Sequence, residues 1–291
     1  MKPLIDGDIL LYEIGNSAEY VDESGEKVIR DFDFAANLVD QKIKEICAEV
    51  WATEEPTIFI TNNRRIHKKV NRQRKTEGKP LVEYVPNFRE SIAKKKEYKA
   101  GRKPEKPFHY DNLLVYLLAN YQCEMAFGME ADDLMSIRQW ERAKDGHLDT
   151  IICTRDKDLR IVPGMHFGWE CGRQAQYGPT RVTELGEVRL TKDGKKIVGN
   201  GLKFFYSQLV TGDSTDNIPG IPGSGPVAAF KSVHDAESEA ELFERVGALY
   251  KDKYGDGWEE EMREQADLLW MVRELDENNQ PVMYKWPMSG S

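Results

Sequence analysis

The stretch GMEADDLMSI, residues 128–137, places three carboxylates within four residues: Glu130, Asp132 and Asp133. At 100° per residue of a helix, Glu130 and Asp133 fall on the apolar face. Carboxylates on such a face are costly to desolvate unless something compensates their charge. The residues alone leave two interpretations open. The acids either favour the dipole at a helix N-terminus, or they hold a bound cation.

Five further carboxylates are candidates for the same chemistry. They are Asp6, Asp156, Asp158, Asp213 and Asp216. The first three follow apolar runs that read as strands, and the last two lie in the glycine-rich stretch VTGDSTDNIPGIPGSGP. Because ligands of parallel sheets bind beyond the carboxyl ends of the strands, we expect these acids to converge with those at 130–133. Hard oxygen ligands in this number suit Mg²⁺ or Mn²⁺.

The elements that must position these acids follow from the hydrophobic pattern. Apolar runs predict buried strands at residues 3–11, 57–61 and 149–154, and amphipathic patterns predict helices at 34–50, 110–121 and from Glu130 onward. This alternation predicts an α/β fold with a central, mainly parallel sheet flanked by helices. The stretch EVRLTKDGKKIVGNG predicts a hairpin that turns at Asp193-Gly194, and helices dominate from residue 203 onward.

Composition indicates an ordinary globular protein. The chain has 291 residues, of which 40% are hydrophobic and 31% charged. No apolar run approaches the roughly 18 residues of a membrane span, and acids interrupt the N-terminal stretch where a signal peptide would be apolar. We therefore expect a cytoplasmic location and no membrane contact. The four cysteines form no close pair and the five histidines lack metal-ligand spacing, so reduced thiols and no zinc site are expected.

Charge is distributed unevenly. Residues 61–107 contain 16 Lys and Arg against 5 Glu, whereas the remainder contains 25 basic and 45 acidic residues, for a net charge of −9. The basic segment is either a solvated or disordered charged loop, or the electrostatic footprint of a nucleic-acid contact.

Four motifs in order carry a resemblance to a known family. LIDGD, EADDL, TRDKDL and GDSTDNIPGIPGSGP resemble those of the 5′-nuclease superfamily of flap endonucleases and 5′-to-3′ exonucleases. With the YKAGRK element and the MYKWP ending, the chain looks most like the stand-alone exonucleases of lytic bacteriophages, and the resemblance covers nearly its whole length. It implies divalent-metal-dependent hydrolysis of phosphodiester bonds near 5′ ends during phage DNA replication in the host cytoplasm. The implied partners are duplex DNA with a 5′ end, flap or nick, and RNA–DNA hybrids. A monomer is expected.

The resemblance also assigns roles to individual residues. It places Asp6, Glu130, Asp132 and Asp133 in a first metal cluster, and Asp156, Asp158, Asp213 and Asp216 in a second. Within the basic segment it implies that Lys99 and Arg102 steer the scissile phosphate, that Tyr98 stacks on a base, and that Lys103 contacts DNA. Lys99, Arg102, Asp6, Glu130 and Asp156 are the implied catalytic residues.

One position departs from the family pattern. Asn62 follows the strand-like TIFIT, where the family usually has an aspartate. A neutral amide is a weaker ligand for a hard cation, so we expect looser or water-mediated metal binding at the first cluster. Asp8 either restores that charge or serves a helix start.

The stretch IPGIPGSGP has the character of a helix-hairpin-helix element, although a plain turn is the simpler alternative. Its glycines allow the backbone to approach a phosphate closely. The expected DNA contacts are Gly220, Gly223, Ser224 and Gly225. The resemblance further implies a monovalent cation such as K⁺, held by the main-chain carbonyls of Val210, Thr211, Pro219, Ile221 and Ser224.

These expectations define a domain organisation. Residues 1–170 form the metal-dependent core, which includes a basic helical arch or clamp at about 62–107. Residues 171–200 form a hairpin insertion, and residues 201–291 form the helical DNA-binding and C-terminal part. The parts are expected to pack as one globular unit.

Two other functions fit parts of the sequence. A haloacid-dehalogenase-type phosphatase would explain LIDGDIL and GDSTDN, but its chemistry needs neither the acids at 130–133 nor a basic segment. A non-catalytic DNA-binding relative would be expected to lose acids, yet the motifs retain all of them except at Asn62.

Overall fold

The computed structural model describes residues 1–100 and 105–287. The strands of these residues are β1 (Lys2–Asp6), β2 (Glu19–Val21), β3 (Lys27–Ile29), β4 (Thr57–Thr61), β5 (Gln122–Ala126), β6 (Thr150–Cys153), β7 (Gly164–Gly168), β8 (Tyr177–Val182), β9 (Val188–Leu190) and β10 (Ile197–Gly199). The α-helices are α1 (Gly7–Ser17), α2 (Phe32–Glu49), α3 (Arg64–Thr76), α4 (Arg89–Ile92), α5 (Tyr110–Asn120), α6 (Ala131–Ala143), α7 (Gly201–Thr211), α8 (Pro226–Val233), α9 (Glu239–Tyr254) and α10 (Trp258–Leu269).

The described residues divide into two compact units. The first contains residues 1–87, 105–155 and 165–180, and the second contains residues 88–100, 156–164 and 181–287. The division follows contacts in space, so each unit is assembled from separate stretches of the chain rather than from one continuous range. The predicted boundaries at 170 and 200 remain predictions.

The first unit is built on a six-stranded sheet in the order β5-β4-β1-β6-β7-β8. β1 pairs in parallel with both β4 and β6, β4 pairs in parallel with β5, and β6 with β7. Apolar residues of β1, β4 and β6 form one buried core with the inner faces of α1, α2 and α5. The predicted α/β fold with a mainly parallel central sheet flanked by helices is confirmed.

The predicted strand at residues 3–11 is wrong beyond Asp6. β1 ends there, and α1 begins at Gly7 with the Asp6 side chain as its N-cap, accepting a hydrogen bond from the Ile9 amide. Leu10, Leu11 and Ile14 are then buried on one face of the helix. An apolar run can be buried in either conformation, so periodicity alone does not distinguish them.

The second unit is mainly helical. α7 packs against α8, α9 and α10, and the antiparallel β9–β10 hairpin turns at Asp193-Gly194 as predicted. The Arg89 side chain is fully buried and donates hydrogen bonds to the carbonyls of Leu268 and Trp270 at 2.9 and 2.6 Å. This arginine therefore fixes its part of the basic segment to the residues around the end of α10. In the described part of the chain, no helix is both long and apolar enough to cross a bilayer.

Candidate active site

The first group of acids begins at the carboxyl end of β1. Asp6 is 2% exposed, and its Oδ1 accepts a hydrogen bond from the Ile9 amide at 3.0 Å. Its Oδ2 accepts one from the Thr154 hydroxyl at 2.7 Å. Thr154 directly follows β6, the parallel neighbour of β1, so the two strand ends meet at one edge of the sheet. The carboxylate is thereby held rigidly at that edge.

Glu130 and Asp133 lie at the start of α6. The Glu130 amide donates to Asp133 Oδ2 at 3.1 Å, and Asn87 Nδ2 donates to Glu130 Oε1 at 3.1 Å. The two acids form a capping box, and Asp133 is fully buried, whereas Asp132 in the same turn is partly exposed. The helix-capping interpretation of this stretch therefore holds for its local geometry.

Thr61 connects α6 to the rest of this edge. Its hydroxyl accepts a hydrogen bond from the Ala131 amide at 2.9 Å, while its own amide donates to both Asp8 carboxylate oxygens at 3.3 Å. Asp8 lies in the first turn of α1, in keeping with a helix-start role. The N-terminal turns of α1 and α6, both of which carry acids, thus meet around the end of β4.

Asn62 lies at the position where the resemblance predicts an aspartate. It is 5% exposed, its amide donates to the Ala126 carbonyl at 2.9 Å, and its Nδ2 lies 3.5 Å from His67 Nδ1. Its buried Oδ1 has no hydrogen-bond partner among residues 1–100 and 105–287. An unsatisfied buried carbonyl costs about 1–3 kcal/mol, and such atoms call for an ion, water or ligand.

His67 lies beside Asn62, a contact that the sequence did not suggest. Its Nε2 lies 3.0 Å from Asn71 Nδ2, and Asn71 pairs with both backbone groups of Val82. The imidazole therefore sits between Asn62 and a residue that anchors the segment after α3. The scattered spacing of the histidines gave no signal of this, because the contact depends on where α3 starts relative to β4.

The second group of acids surrounds Lys157. The Lys157 ammonium lies 2.9 Å from Asp158 Oδ1 and 2.6 Å from Asp213 Oδ2. Asp158 Oδ1 also accepts from Gln208 Nε2 at 2.6 Å, and the Asp158 amide donates to Asp156 Oδ1 at 2.9 Å. Two of the predicted metal-binding carboxylates therefore share the Lys157 ammonium, and a backbone hydrogen bond links a third, Asp156, to Asp158.

The ionisation of these carboxylates differs. Burial, with repulsion from Asp158, raises the pKa of Asp156 to about 6. Burial acts in the same direction on Asp213, but the hydrogen bond and charge of Lys157 outweigh it and hold the pKa of Asp213 below its usual value. One carboxyl of the group is thus far easier to protonate than its neighbour, as expected when acids share a site.

Lys99 and Tyr98 contact the fourth acid of this group. The Tyr98 hydroxyl donates to Asp216 Oδ2 at 3.1 Å, the Lys99 amide donates to the Asp216 carbonyl at 3.0 Å, and Lys99 Nζ lies 3.9 Å from Asp216 Oδ2. Lys99 has φ +56°, a left-handed conformation that costs a non-glycine residue about 1 kcal/mol or more. The backbone is held there by Asp216 and by Asn217 Nδ2, which donates to the Glu97 carbonyl at 2.9 Å.

The loop between α7 and α8 uses its glycines in two ways. Gly220 has φ +65°, and a Cβ there would lie 2.3 Å from the Gly212 amide nitrogen, so this glycine is required inside the fold. Gly223 has φ +88° and faces open space, as does Gly225, the N-cap of α8. Contact with a phosphate at these two positions, and at the neighbouring Ser224, stays a prediction.

The carbonyls predicted to hold a monovalent cation are partly engaged by the backbone. The Val210 carbonyl accepts from the Ile221 amide at 2.9 Å, and the Ile221 carbonyl accepts from the Ser224 amide at 3.0 Å. Each carbonyl retains a second lone pair. Cation binding by these groups, with Thr211 and Pro219, remains a prediction.

Some cations of the basic segment pair with an acid of the first unit, and others share an exposed helical face. Arg65 and Lys69 on α3 both pair with Asp111. Other cations of α3 are exposed at i, i+4 and i+7 spacing, which places them on one helical face: Lys68, Arg72 and Lys75. The predicted site residues Arg102 and Lys103 lie outside the described residues.

Comparisons with known proteins give sequence relatives of two kinds. The chain is 30% identical over 192 residues to DNA polymerase I of Bacillus subtilis, which covers 62% of this chain and 20% of the relative. It is 27% identical over 234 residues to the exodeoxyribonuclease of Enterobacteria phage T3, covering 77% of this chain and 64% of the relative. The chain spans only 12 to 20% of the length of the DNA polymerase I relatives. No protein-family model matches it.

A solved structure of T5 5′-exonuclease with bound zinc ions has a similar fold, with a TM-score of 0.51 at 13% sequence identity. The alignment covers 93% of this chain and 100% of the T5 chain. The chain has the fold of a phage 5′-exonuclease. The predicted similarity to phage exonucleases is confirmed, because phage T3 exodeoxyribonuclease is a sequence relative and the T5 5′-exonuclease shares the fold.

Proposed function

We propose that the chain is a divalent-metal-dependent 5′-to-3′ exonuclease and flap endonuclease. The contact of Lys99 and Tyr98 with Asp216 carries this proposal, because it joins the basic segment to the predicted metal-binding acids. A phosphodiester is negatively charged. A metal ion held by the carboxylates and the neighbouring Lys99 ammonium would both offset that charge. The similarity to phage T3 exodeoxyribonuclease supports the same activity.

The donor set fits a hard divalent cation. The Asp158 and Asp213 oxygens already receive one positive charge, that of Lys157, at 2.9 and 2.6 Å. In the first unit, the unpartnered Asn62 Oδ1 lies beyond the end of β4, next to the strand that carries Asp6. In residues 1–100 and 105–287, no three His, Cys, Asp or Glu side chains are arranged around one point.

The chain's own residues then have distinct roles. We propose that Asp6, Glu130, Asp132 and Asp133 hold one ion, and that Asp156, Asp158, Asp213 and Asp216 hold another. When bound, Mg²⁺ or Mn²⁺ lowers the pKa of a water molecule and offsets the charge that builds on phosphate oxygens. The Lys99 ammonium stabilises the same charge directly, and the Tyr98 ring offers a surface on which a base can stack.

The finer features of the substrate and setting are also proposals. The substrate is duplex DNA with a 5′ end, flap or nick, with RNA in RNA–DNA hybrids as a further substrate. Gly223, Ser224 and Gly225 contact the duplex backbone, and K⁺ binds the nearby carbonyls. Arg102 and Lys103 contribute further phosphate contacts. The protein acts as a monomer, in phage DNA replication in the host cytoplasm.

The position of the label on the released product tests the proposed polarity. With Mg²⁺, a 5′-labelled duplex should release short labelled fragments at once, whereas a 3′-labelled duplex should shorten gradually. A flap substrate labelled at its 5′ end separates flap cleavage from stepwise digestion. A chromogenic phosphatase substrate serves as the comparison. Release from the 3′ end, or turnover of the chromogenic substrate alone, would exclude a 5′-nuclease.

A further inference from the structure

The β9–β10 hairpin takes no part in the sites described above, yet it is strongly basic. Within residues 188–199 there are four basic residues and one acid, Asp193. The basic residues are Arg189, Lys192, Lys195 and Lys196, all exposed. Residues 201–291, in contrast, contain 8 basic and 17 acidic residues. The hairpin is therefore a basic patch beside an acidic part of the chain.

The turn of the hairpin is built without the lysine side chains. Asp193 Oδ1 accepts hydrogen bonds from the Thr191 hydroxyl at 2.7 Å and from the Lys195 amide at 3.1 Å. The Thr191 amide donates to the Lys196 carbonyl at 2.9 Å, and Gly194 has φ +67°. Among the described residues, the ammonium groups of Lys192, Lys195 and Lys196 form no ion pair. These charges are not needed for the fold and are available to a ligand.

The hairpin lies against the start of α8. Both of its strands contact α8, and a Cβ on Gly194 would lie 4.0 Å from Val227 Cγ2, in the first turn of that helix. The lysines on either side of Gly194 therefore flank the end of α8 that follows Gly223 and Gly225. Each hairpin strand has three residues and spans about 10 Å, which matches the axial rise of about three phosphates on one DNA strand.

We propose that Lys192, Lys195 and Lys196 bind consecutive phosphates of the duplex beside those reached by the loop before α8. This proposal rests on the proposed nuclease function and extends its duplex-binding surface to a segment that the resemblance does not explain. Ammonium groups on a surface turn bind phosphates as point charges and carry no sequence information. The hairpin thus holds the duplex part of the substrate, without regard to its sequence.

Binding measurements on a charge-reduced variant test the proposal. The variant carries Lys192→Gln, Lys195→Gln and Lys196→Gln, and the matched control carries Lys44→Gln, Lys251→Gln and Lys253→Gln on α2 and α9. Affinity for a 5′-flap duplex is measured in Ca²⁺ over a range of KCl. The slope of log affinity against log salt should fall by roughly 2 to 3 in the variant, at about 0.9 for each phosphate that is no longer neutralised. At low salt its affinity should fall about tenfold or more.

Three further readouts locate the effect. Affinity for single-stranded DNA of the same length should change less than twofold, turnover at saturating flap substrate should stay at the wild-type level, and Lys→Arg at the three positions should restore the slope. An unchanged slope in the variant, an equal decrease in the matched control, or an equal decrease on single-stranded DNA would each overturn the proposal. Circular-dichroism melting confirms that the variant is folded.

The two proposals fail in different ways. If wild-type protein neither binds nor cleaves 5′-ended duplexes, the nuclease function fails and the hairpin proposal falls with it. If wild-type protein cleaves the flap substrate and the variant binds it with the same affinity and slope, only the hairpin proposal is wrong.

Discussion

Replacing Lys99 with alanine should slow hydrolysis while changing substrate binding little. The ammonium lies 3.9 Å from Asp216 Oδ2 and its side chain is 24% exposed. An ammonium at a similar distance from a charged phosphate oxygen would interact with it by about 4 kcal/mol at an effective dielectric constant near 20, and exposure to solvent reduces that value. Removing one group that stabilises developing charge commonly costs about 10²- to 10³-fold in rate. We therefore expect Lys99→Ala to lower the single-turnover rate by about 10²-fold.

The assay compares rate and affinity on one substrate. Single-turnover cleavage is measured with Mg²⁺, and the dissociation constant is measured with Ca²⁺, which should permit binding with little hydrolysis. Lys96→Ala removes an exposed lysine from the same segment and should retain nearly the wild-type rate. Lys99→Gly removes the same charge but suits φ +56°, so it should be as slow as Lys99→Ala and no less stable. A Lys99→Ala protein with weakened binding and an intact single-turnover rate would refute the role assigned to Lys99.

Three other predictions concern charge in each unit. Glu130→Gln and Asp156→Asn should each lower the cleavage rate by orders of magnitude with no loss of thermal stability, and wild-type turnover in either variant would remove that residue from the site. Alanine substitution of three exposed cations of α3 should lower the slope of log affinity for DNA against log salt concentration by roughly 0.7 to 0.9 for each phosphate-binding cation removed. Substitution of Arg65 and Lys69 should lower this slope less, because both already pair with Asp111. The substituted cations are Lys68, Arg72 and Lys75, which share one exposed face of α3. Burial raises the pKa of Asp267 to about 6, so the folded protein loses stability as pH rises from about 4 to 6. Asp267→Asn should therefore increase the free energy of unfolding by about 1–2 kcal/mol at pH 8 and by about half as much at pH 5. Urea titrations at the two pH values measure this, and an equal increase at pH 5 and pH 8 would contradict the prediction.

The sequence predicted the parts of the fold that depend on local pattern. The run TIFIT at 57–61 is β4, the amphipathic pattern at 34–50 is α2, and the Asp193-Gly194 turn joins β9 to β10. The placement of Asp6 at a strand end also follows from local features, because an aspartate after a buried run both ends a strand and caps the next helix.

The features that escaped prediction depend on contacts between distant residues. Lys157 neutralises both Asp158 and Asp213, and no spacing rule links Lys157 to an acid so far along the chain as Asp213. Arg89 belongs to the basic segment by sequence, but its guanidinium is buried against the carbonyls of Leu268 and Trp270. Composition records that a residue is charged, and only the fold determines whether the charge faces a partner within the protein.

Metal dependence of cleavage tests the central claim most directly. Wild-type protein is freed of metal with excess chelator and mixed with a 5′-labelled flap duplex, and Mg²⁺ is then added in excess over the chelator. The carboxylate groups predict no cleavage before the addition and rapid release of the labelled 5′ fragment after it. Undiminished cleavage in excess chelator would contradict the assignment of Asp6, Glu130, Asp156 and their neighbours as metal ligands.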